Sequence, residues 1–531
     1  MTIYRTPGVY FERRDITPLT IGLPRSDIAG FAGIAMRGPL FEPVKVESWK
    51  QFVSNFGDFI PQAYLAYAVY GFFANGGATC WISRVADRLS ARTAQREFGD
   101  VAITARSPGT WGNQIYVEPF LSGNRIVSLL LRYPDGTEQF LRAPFQTESF
   151  ARDNLFGLPQ NTLDNRNEVD SLVRITTLTL PNDLPEPGFL SGGTDGLADL
   201  KPEHFEEAFE NLGKISEIGV VAAPDLMPKL PIDLKTKKPV INCCTCEAAG
   251  PPPTRPEAAE FPPAFSDDQI KDLQLSLAAH AESLRYRFAI LDTGGERSTP
   301  EQALRWRQDF PNSSFSGLYY PWILVDDPLR LTGLLRVVPP SGHIAGIFAR
   351  SDQRKGVHKP PMNEVVEGVS DVRFPVEDLD HGELNDNNVN AVRIMPGRGV
   401  RLMGARTLWR DILFRYVNVR RLLSTIEKGL EQSLNWTVFE PNNPQLWAEI
   451  DRIVRSFLET LFRLGMLDGE TSEDAYSVRC DESTNPAAET DLGRVTCEIG
   501  VQPPYPAEFV VITLGISRDG IQVREGREQN A

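Results

Sequence analysis

The sequence predicts a multidomain protein of mixed α/β and α+β class, with a doubly wound α/β domain in its middle part. Strands and helices alternate between residues 191 and 360, and a β-rich stretch lies between residues 100 and 190. Both chain ends also carry β-prone segments beside prolines. The 531 residues suffice for three or four domains at roughly 100–200 residues each.

The middle part alternates apolar runs with amphipathic stretches. Residues 218–223 and 288–291 are β-prone, and residues 267–284 between them carry apolar side chains at helical spacing. A short helix is expected over residues 300–310 and a third strand over residues 318–325. Strand–helix–strand repetition predicts parallel pairing with right-handed crossovers.

The flanking parts differ in pattern from the middle. The β-prone residues 125–133 are followed by Pro-Asp-Gly, a strong turn signal, which predicts a hairpin. Residues 445–464 place their apolar side chains on one helical face, and Gly465 fits the end of that helix. The predicted parts are an N-terminal arm (1–20), the N-terminal part of the core (21–99), a β-rich insertion domain (100–190), the α/β domain (191–365) with a Pro/Cys-rich loop (228–265), a C-terminal α+β domain (366–500), and a C-terminal arm and tail (501–531).

The charge balance argues against two classes of partner, although it leaves a local basic face possible. The net charge is −15, from 55 Lys and Arg against 70 Asp and Glu. Broad nucleic-acid binding needs a basic surface, and docking on anionic lipid needs one too. No window of about 18 uninterrupted apolar residues occurs, and the first residues lack the charged and apolar regions of a secretory signal. We therefore expect neither nucleic acid as a partner nor direct membrane insertion.

The cysteines do not indicate a metal site. Six cysteines in 531 residues are too few for a disulfide scaffold. Cys243, Cys244 and Cys246 cluster in the Pro-rich stretch, but the nearest histidines, His204 and His280, are more than thirty positions away. We expect a loop with reduced thiols and no metal.

A glycine-rich segment does not indicate a nucleotide. Residues 192–196, Gly-Gly-Thr-Asp-Gly, are not followed by the Lys-Ser/Thr of a P-loop. The segment is more typical of a turn at a domain boundary, and no cofactor is expected.

Two segments invite a hydrolase interpretation. Residues 291–294, which contain Asp292, resemble the aspartate segment of subtilisin-like enzymes, and residues 341–346, which contain His343, resemble their histidine segment. The family's serine segment does not occur after His343, so the nucleophile of a triad is missing. The alternative is that Asp292 caps a turn after a strand and that His343 opens a helix after two prolines.

A series of segments carries a family resemblance. Their sequences are TPGVY (6–10), GTDG (193–196), VNAVRIMPGRGV (389–400), GARTL (404–408), YVNVRRL (416–422) and WTVFEPN (436–442). In their order and spacing these segments resemble contractile tail sheath proteins, and the resemblance extends over nearly the whole chain.

The resemblance implies a structural subunit and not an enzyme. Sheath subunits stack as rings around an inner tube in a metastable extended state and contract to drive the tube through a target envelope. The family's middle domain is subtilisin-like without peptidase activity. The implied partners are further copies of the chain, the inner tube protein, baseplate and tail-terminator or cap proteins, and sheath paralogues if the particle has more than one.

The resemblance also implies where the protein acts. Subunits are made and assembled in the bacterial cytoplasm and become part of a phage-tail-like particle or virion tail, which lysis can release. The long Pro/Cys loop and the chain length favour an extracellular phage-tail-like injection particle. A myovirus tail sheath is the close alternative, and a subtilisin-like serine hydrolase or a static surface-layer or capsid-like protein are alternatives of other classes.

The β-prone ends are candidates for strand donation between subunits. In the alternative interpretation, they are edge strands of their own domain. The candidate donor residues are Gly8, Val9, Tyr10, Phe11, Phe509, Val510, Val511, Ile512, Thr513 and Leu514.

Arginines make the C-terminal part locally basic, and they are candidates for contacts with a tube or a neighbouring subunit. The alternative is salt bridges within the domain, with Asp380, Glu383, Asp386 and Asp411 as expected partners. The candidate contact residues are Arg393, Arg398, Arg406, Arg420 and Arg421.

Overall fold

The structure is a computed structural model. It describes residues 22–98, 101–122, 125–134, 137–142, 173–175, 186–227, 259–295, 299–329, 335–508, 511–517 and 520–526. These residues form two compact units. The smaller unit contains residues 22–24 and Thr425–Pro504, and the larger contains Arg25–Ser424 and the described residues from Tyr505 onward.

The two units combine helices and strands, so the chain has the mixed α/β, multidomain character that the sequence predicts. The helices are Trp49–Phe56, Leu65–Ala74, Pro202–Gly213, Asp267–Leu284, Pro300–Gln308, Ser341–Lys355, Asp378–Asp386, Val417–Leu434, Pro444–Arg463, Ser472–Ala475 and Ala487–Thr490. None of the helices in the described part of the chain has the length and apolar composition needed to cross a membrane.

The strands are distributed over six sheets in the described residues. In chain order they are β1 (Ala29–Gly33), β2 (Val44–Val46), β3 (Cys80–Arg84), β4 (Gln95–Phe98), β5 (Val101–Ala105), β6 (Tyr116–Ser122), β7 (Arg125–Arg132), β8 (Glu138–Arg142), β9 (Val173–Ile175), β10 (Gly188–Phe189), β11 (Val220–Ala222), β12 (Phe288–Asp292), β13 (Ser316–Tyr320), β14 (Ile323–Asp326), β15 (Leu335–Val338), β16 (Glu364–Val365), β17 (Val369–Val372), β18 (Val389–Met395), β19 (Gly399–Leu402), β20 (Tyr476–Arg479), β21 (Glu498–Val501), β22 (Val511–Ser517) and β23 (Gly520–Gly526).

The largest described sheet has the strand order β16–β19–β18–β13–β12–β11–β1–β3–β2. The six strands from β18 to β3 in that order pair in parallel, while the edge pairs are antiparallel. Every residue of β1, β12 and β13 is buried, as is typical of parallel strands covered on both faces. The parallel pairing predicted for the middle part is confirmed for β11, β12 and β13.

The helix Asp267–Leu284 shows why the sequence specifies these elements locally. Ser266 and Gln269 cap its start reciprocally: the Ser266 hydroxyl accepts from the Gln269 N–H, and the Gln269 side chain accepts from the Ser266 N–H. Ile270, Leu273 and Leu277 are buried on one face. The helix has the predicted bounds because both the cap and the apolar spacing lie in the local sequence.

The strand predicted over residues 318–325 is wrong in its extent. The run is divided between β13 and β14, which belong to different sheets. Pro321 lies between them, and a proline has no N–H to donate to a strand ladder. The apolar run alone does not reveal this break.

Residues 94–190 contribute a second core to the larger unit. Their described strands form two antiparallel sheets, β10–β6–β7–β8 and β4–β5–β9. The predicted hairpin is present, because β7 pairs with β8 across the Pro134 turn. The buried apolar residues here, including Trp111, Ile115 and Leu131, form a cluster separate from that of the large sheet.

The smaller unit is built on the helix Pro444–Arg463. Eight of its apolar side chains are buried, and the exposed positions are mainly polar. Gly465 follows the helix with a φ of 70°, in the left-handed region that favours glycine. Strands β20 and β21 form an antiparallel pair in the same unit.

A buried carboxylate links three elements of the larger unit. Asp225 follows β11 and is 0% exposed. Its side chain accepts from the Ile34 N–H after β1, at 2.8 Å, and from the Tyr64 and Leu65 N–H groups at the start of a helix. Burial raises the pKa of Asp225 to about 6, although the three N–H donors favour the carboxylate.

Replacement of Asp225 by Ala should leave three buried N–H groups without their acceptor. We expect Asp225→Ala to lower the free energy of unfolding by about 3 kcal/mol, measured by urea denaturation. Asp326→Ala is the matched control, because Asp326 is exposed and should change stability little. Equal effects of the two substitutions would contradict this role of Asp225.

Candidate functional site

The first site lies where the chain enters the larger unit, immediately after the predicted N-terminal arm. Arg421 donates to both carboxylate oxygens of Asp352, at 3.0 and 2.5 Å. The Ser26 hydroxyl donates to the same carboxylate at 2.7 Å, and the Ser26 carbonyl accepts from Arg421 at 3.0 Å. We call Ser26, Asp352 and Arg421 the entry site.

The ion pair of the entry site is almost completely buried. The side chains of Arg421 and Asp352 are 4% and 5% exposed. The guanidinium also lies 4.7 Å from the ring centroid of Phe348, one helical turn before Asp352 on the helix Ser341–Lys355. Loss of either charge would leave the other buried without a partner, which costs free energy. The pair therefore stays formed, and it keeps both of its hydrogen bonds to Ser26.

The residues beside Ser26 continue this attachment. The Asp27 carboxylate accepts from Gln353 at 2.9 Å and from two nitrogens of Arg25, both at 2.9 Å. Burial opposes ionisation of Asp27, but the Arg25 and Gln353 hydrogen bonds outweigh it and lower the pKa of Asp27 below its usual value. The entering chain is thus fixed at two consecutive residues.

The second site lies where the C-terminal segment joins the larger unit. Glu508 accepts from two nitrogens of Arg406, the Nε bond being 3.0 Å long. The two side chains are 11% and 8% exposed. Burial disfavours the charged guanidinium, but Glu508 more than compensates and raises the pKa of Arg406. We call Arg406 and Glu508 the exit site.

Asn390 on β18 positions the backbone of Arg406. Its side-chain oxygen accepts from the Arg406 N–H at 2.7 Å, and its side-chain nitrogen donates to the Arg406 carbonyl at 2.7 Å. The same nitrogen donates to the Leu318 carbonyl on β13 at 3.2 Å. The arginine that binds Glu508 is therefore fixed to the large sheet.

A pair of tyrosines adds to the exit site. The rings of Tyr416 and Tyr505 pack edge to face, with centroids 6.1 Å apart. Burial raises the pKa of Tyr416, and the adjacent Glu508 carboxylate raises it further. Tyr416 is therefore neutral and can donate a hydrogen bond to Glu508.

A β-hairpin follows the exit site. β22 pairs antiparallel with β23 in continuous register from Val511↔Gly526 to Ser517↔Gly520. Within the described residues, these two strands form a sheet of their own. Each therefore has one edge at which no described strand pairs, and such an edge can accept a further strand.

Asp292 and His343 are not hydrogen-bonded to each other as in a catalytic dyad, because each side chain has other surroundings. The Asp292 carboxylate accepts from the Ser341 N–H at 3.0 Å, at the start of the helix Ser341–Lys355. The His343 imidazole lies against Gly71, where a Cβ would come within 2.3 Å of the ring. Its Nδ1 has no hydrogen-bond partner in the described part of the chain.

The electrostatics of the two residues follow from burial. Burial raises the pKa of Asp292 to about 7, against the opposing effect of Ser341, and it lowers the pKa of His343 to about 4. The local prediction is confirmed for His343, which lies in the first turn of a helix. It is wrong for Asp292, which ends β12 and caps the start of the helix Ser341–Lys355 instead of a turn after its own strand. The described residues contain no group of three or more His, Cys, Asp or Glu arranged to hold a metal ion.

Two family models match the sequence. The model described as the phage tail sheath protein central domain matches residues 263–408, and the phage tail sheath C-terminal domain matches residues 410–517. A putative prophage major tail sheath protein of Pseudomonas aeruginosa (strain UCBPP-PA14) is 28% identical over 232 residues, which are 43% of this chain and 57% of that protein. These matches indicate the contractile tail sheath family.

Among the curated tail sheath relatives, the aligned parts cover between 26% and 57% of each relative's own length. Solved structures resemble the fold over a greater length. The contracted helical sheath of the anti-feeding prophage has a TM-score of 0.57 at 19% identity, covering 97% of this chain and 100% of that chain. The contracted PVC sheath complex, from an extracellular contractile injection system, has a TM-score of 0.57 at 18% identity, with coverages of 98% and 99%.

The predicted donor residues are described only in part. Gly8, Val9, Tyr10, Phe11, Phe509 and Val510 lie outside the described residues, as do Cys243, Cys244, Cys246 and residues 228–258 of the predicted loop. Val511, Ile512, Thr513 and Leu514 lie in β22. Strand donation by these residues stays a prediction.

The predicted contact arginines have partners within the chain. Arg406 and Arg421 form the buried ion pairs of the two sites, and Arg420 lies 4.5 Å from the ring centroid of Phe315. Arg393 is 2.7 Å from Asp378, and the exposed Arg398 donates to Asn363 at 3.3 Å. The partners of the three ion pairs are Glu508, Asp352 and Asp378, which differ from the four expected acids. Contact of the five arginines with a tube or neighbour stays a prediction.

Asp352, Glu508 and Asn390 were missed at the sequence level. Asp352 and Glu508 are separated from their arginine partners by 69 and 102 positions. The dense arginine series was the available signal, but it does not specify which acid each guanidinium meets. The fold of the larger unit decides that.

The entry site should be sensitive to loss of one charge. We expect Asp352→Ala to lower the free energy of unfolding by about 3–5 kcal/mol, because Arg421 would stay buried without its partner. The double variant Asp352→Ala/Arg421→Met should recover part of that loss, which a double-mutant cycle by urea denaturation measures.

Glu301→Ala is the control for an exposed ion pair. Glu301 and Arg305 are 84% and 76% exposed, so its removal should change stability little. Additive effects of the two entry-site substitutions would contradict a coupled pair.

Proposed function

We propose that this chain is a structural, non-enzymatic subunit of a contractile sheath. Copies of it stack as rings around an inner tube in a metastable extended state, and contraction drives the tube through a target envelope. The observation that carries the proposal is the match of the sheath central and C-terminal domains, in that order, over residues 263–408 and 410–517.

The two chain ends supply the proposed links between subunits. The entry and exit sites fix the roots of both terminal segments to the larger unit, through buried bidentate ion pairs. Residues beyond those roots donate strands to neighbouring subunits, at positions 8–11 and 509–514. A backbone ladder can survive rotation of one subunit against the next, because the strands stay paired while the linkers bend.

The hairpin β22–β23 supports this role at the C-terminal end. A two-stranded sheet is marginally stable alone in water. Its open edges in the described part of the chain leave backbone N–H and C=O groups available to a strand from another copy. Pairing in the lattice would satisfy these groups and stabilise the hairpin.

The middle domain is proposed to be a subtilisin-like scaffold without catalysis. Asp292 is used to cap a helix, and the imidazole of His343 is buried against Gly71. Asp292 is bonded to Ser341 and the His343 Nδ1 has no partner in the described residues, so the two side chains do not form the Asp–His couple that activates a hydroxyl nucleophile. A subtilisin-like hydrolase therefore has no specific support from this geometry.

The proposed partners are further copies, the inner tube protein, baseplate and tail-terminator or cap proteins, and any sheath paralogues. Assembly would take place in the bacterial cytoplasm, with release by lysis.

The likeness over nearly the full length to sheaths of extracellular injection particles supports that system for this chain. A myovirus tail is the second candidate, favoured by the curated tail sheath relatives from Salmonella and Vibrio phages. Tube, baseplate and ATPase genes nearby would favour the first, and capsid and terminase genes the second.

Truncation of either end tests strand donation. We expect a chain that lacks residues 1–15, or one that ends at Glu508, to fold with unchanged circular dichroism in the helical region but to form no extended lattice. The reason is that each truncation removes one proposed donor strand while keeping both root sites. Electron microscopy of the variants beside the full chain measures the outcome.

A chain that ends at Gly526 is the matched control, because it keeps both β22 and β23 and should assemble like the full chain. If the variant that ends at Glu508 still built contractile sheaths, strand donation by the C-terminal segment would be contradicted. Sheaths built without residues 1–15 would do the same for the N-terminal arm.

A further inference from the structure

Two cysteines of the smaller unit face each other across a strand pair. β20 and β21 are antiparallel, and their register ends at Arg479↔Glu498. Continued by one residue, that register places Cys480 opposite Cys497. Directly opposed residues of antiparallel strands have Cα atoms about 4.5–5.5 Å apart, which lies within the range that disulfides span.

The two thiols are also close to each other. Their side chains lie within hydrogen-bonding reach, and both cysteines are free in this structure. Opposed backbone positions and adjacent sulfurs are independent requirements for a disulfide, and this pair meets both.

A buried asparagine holds this arrangement in place. Asn485 is 1% exposed, and its side-chain nitrogen donates to the Thr496 carbonyl at 3.0 Å and lies 4.0 Å from the Cys480 sulfur. Its side-chain oxygen accepts from the Thr496 N–H at 2.6 Å. Thr496, the residue before Cys497, is thus fixed beside Cys480 whether or not a covalent bond is present.

We propose that Cys480 and Cys497 are a modification site, at which a cross-strand disulfide forms when the protein meets an oxidising environment. The bond would close the loop of residues 481–496 that joins the two strands. In a reducing cytoplasm the thiols stay free, as in this structure. The proposal concerns the folded smaller unit alone and does not depend on the proposed function.

The oxidant is a low-molecular-weight disulfide such as oxidised glutathione. The Cys497 thiolate attacks one sulfur of that disulfide, which forms a mixed disulfide and releases one thiol. The Cys480 thiolate then attacks the Cys497 sulfur and releases the second thiol. Two protein thiols become one disulfide, one external disulfide becomes two thiols, and no electron or proton is left unaccounted for.

The structure indicates the order of attack and its pH dependence. Cys497 is partly exposed whereas Cys480 is 5% exposed, so the external disulfide reaches Cys497 first. Burial raises the pKa of both thiols, that of Cys497 to about 12 with a contribution from Cys480. Because the thiolate is the nucleophile, exchange should be slow near neutral pH and faster as the pH rises.

Peptide mapping of the full chain tests the site. The purified, reduced protein is incubated with oxidised glutathione at several pH values from 7 to 9, blocked with an alkylating reagent and digested with trypsin. Cleavage after Arg479, Arg494 and Arg518 separates the two cysteines into peptides 480–494 and 495–518. We expect these peptides to appear as one linked species that reduction separates, with a yield that rises with pH at fixed time.

Two controls separate this site from unspecific oxidation. Cys497→Ser should abolish the linked species and leave Cys480 free for alkylation, while Cys80→Ser, at a buried cysteine of the larger unit, should leave the link intact. The midpoint of thermal unfolding should rise by several degrees on oxidation of the unmodified sequence and not of Cys497→Ser.

Several outcomes would overturn the proposal. One is a stable glutathione adduct on Cys497 without the cross-link. Another is cross-linking of Cys480 or Cys497 mainly to Cys243, Cys244 or Cys246. A third is a link that forms in urea but not in the folded protein, because it would show that the native strands hold the sulfurs apart.

Discussion

The bidentate ion pair between Arg421 and Asp352 is the constraint on which the attachment of the N-terminal segment depends. Both side chains are almost fully buried, so neither charge can be released to solvent without opening the surrounding structure. The same carboxylate accepts from Ser26, and the same guanidinium donates to the Ser26 carbonyl. The chain that leads to the N-terminal arm is therefore anchored at Ser26, and its release would require the buried ion pair to break.

The C-terminal segment is attached by the same physical means. Arg406 binds Glu508 with two nitrogens, and Asn390 fixes the Arg406 backbone to the large sheet. Both roots thus rest on buried arginine–carboxylate pairs of the larger unit. If the proposed strand donation occurs, such roots would transmit force from the donated strands to the body of each subunit.

How far the sequence could predict this structure varies with the distance between interacting residues. The helix Asp267–Leu284 was predictable because its cap and its apolar face both lie within nineteen consecutive residues, Ser266 to Leu284. The break between β13 and β14 has a local signal in Pro321, but the assignment of the two strands to different sheets depends on residues far away in the sequence. A local apolar run is equally compatible with one long strand.

The same distinction applies to the functional residues. Arg406 and Arg421 stand out in the sequence as members of a basic series, but their acids lie 102 and 69 positions away and lack any distinguishing local pattern. Asp292 and His343 show the converse. Their sequence context resembles a catalytic pair, whereas their hydrogen bonds and packing assign them to a helix start and to a close contact with Gly71.

Electron microscopy of the purified full chain, alone and with an inner tube protein from the same gene cluster, tests the central claim most directly. A contractile sheath subunit should form helical tubes or stacked rings, with the tube protein promoting long, regular assemblies. A chain that stays monomeric under all conditions, with the tube protein supplied, would contradict the assignment of this molecule as a sheath subunit.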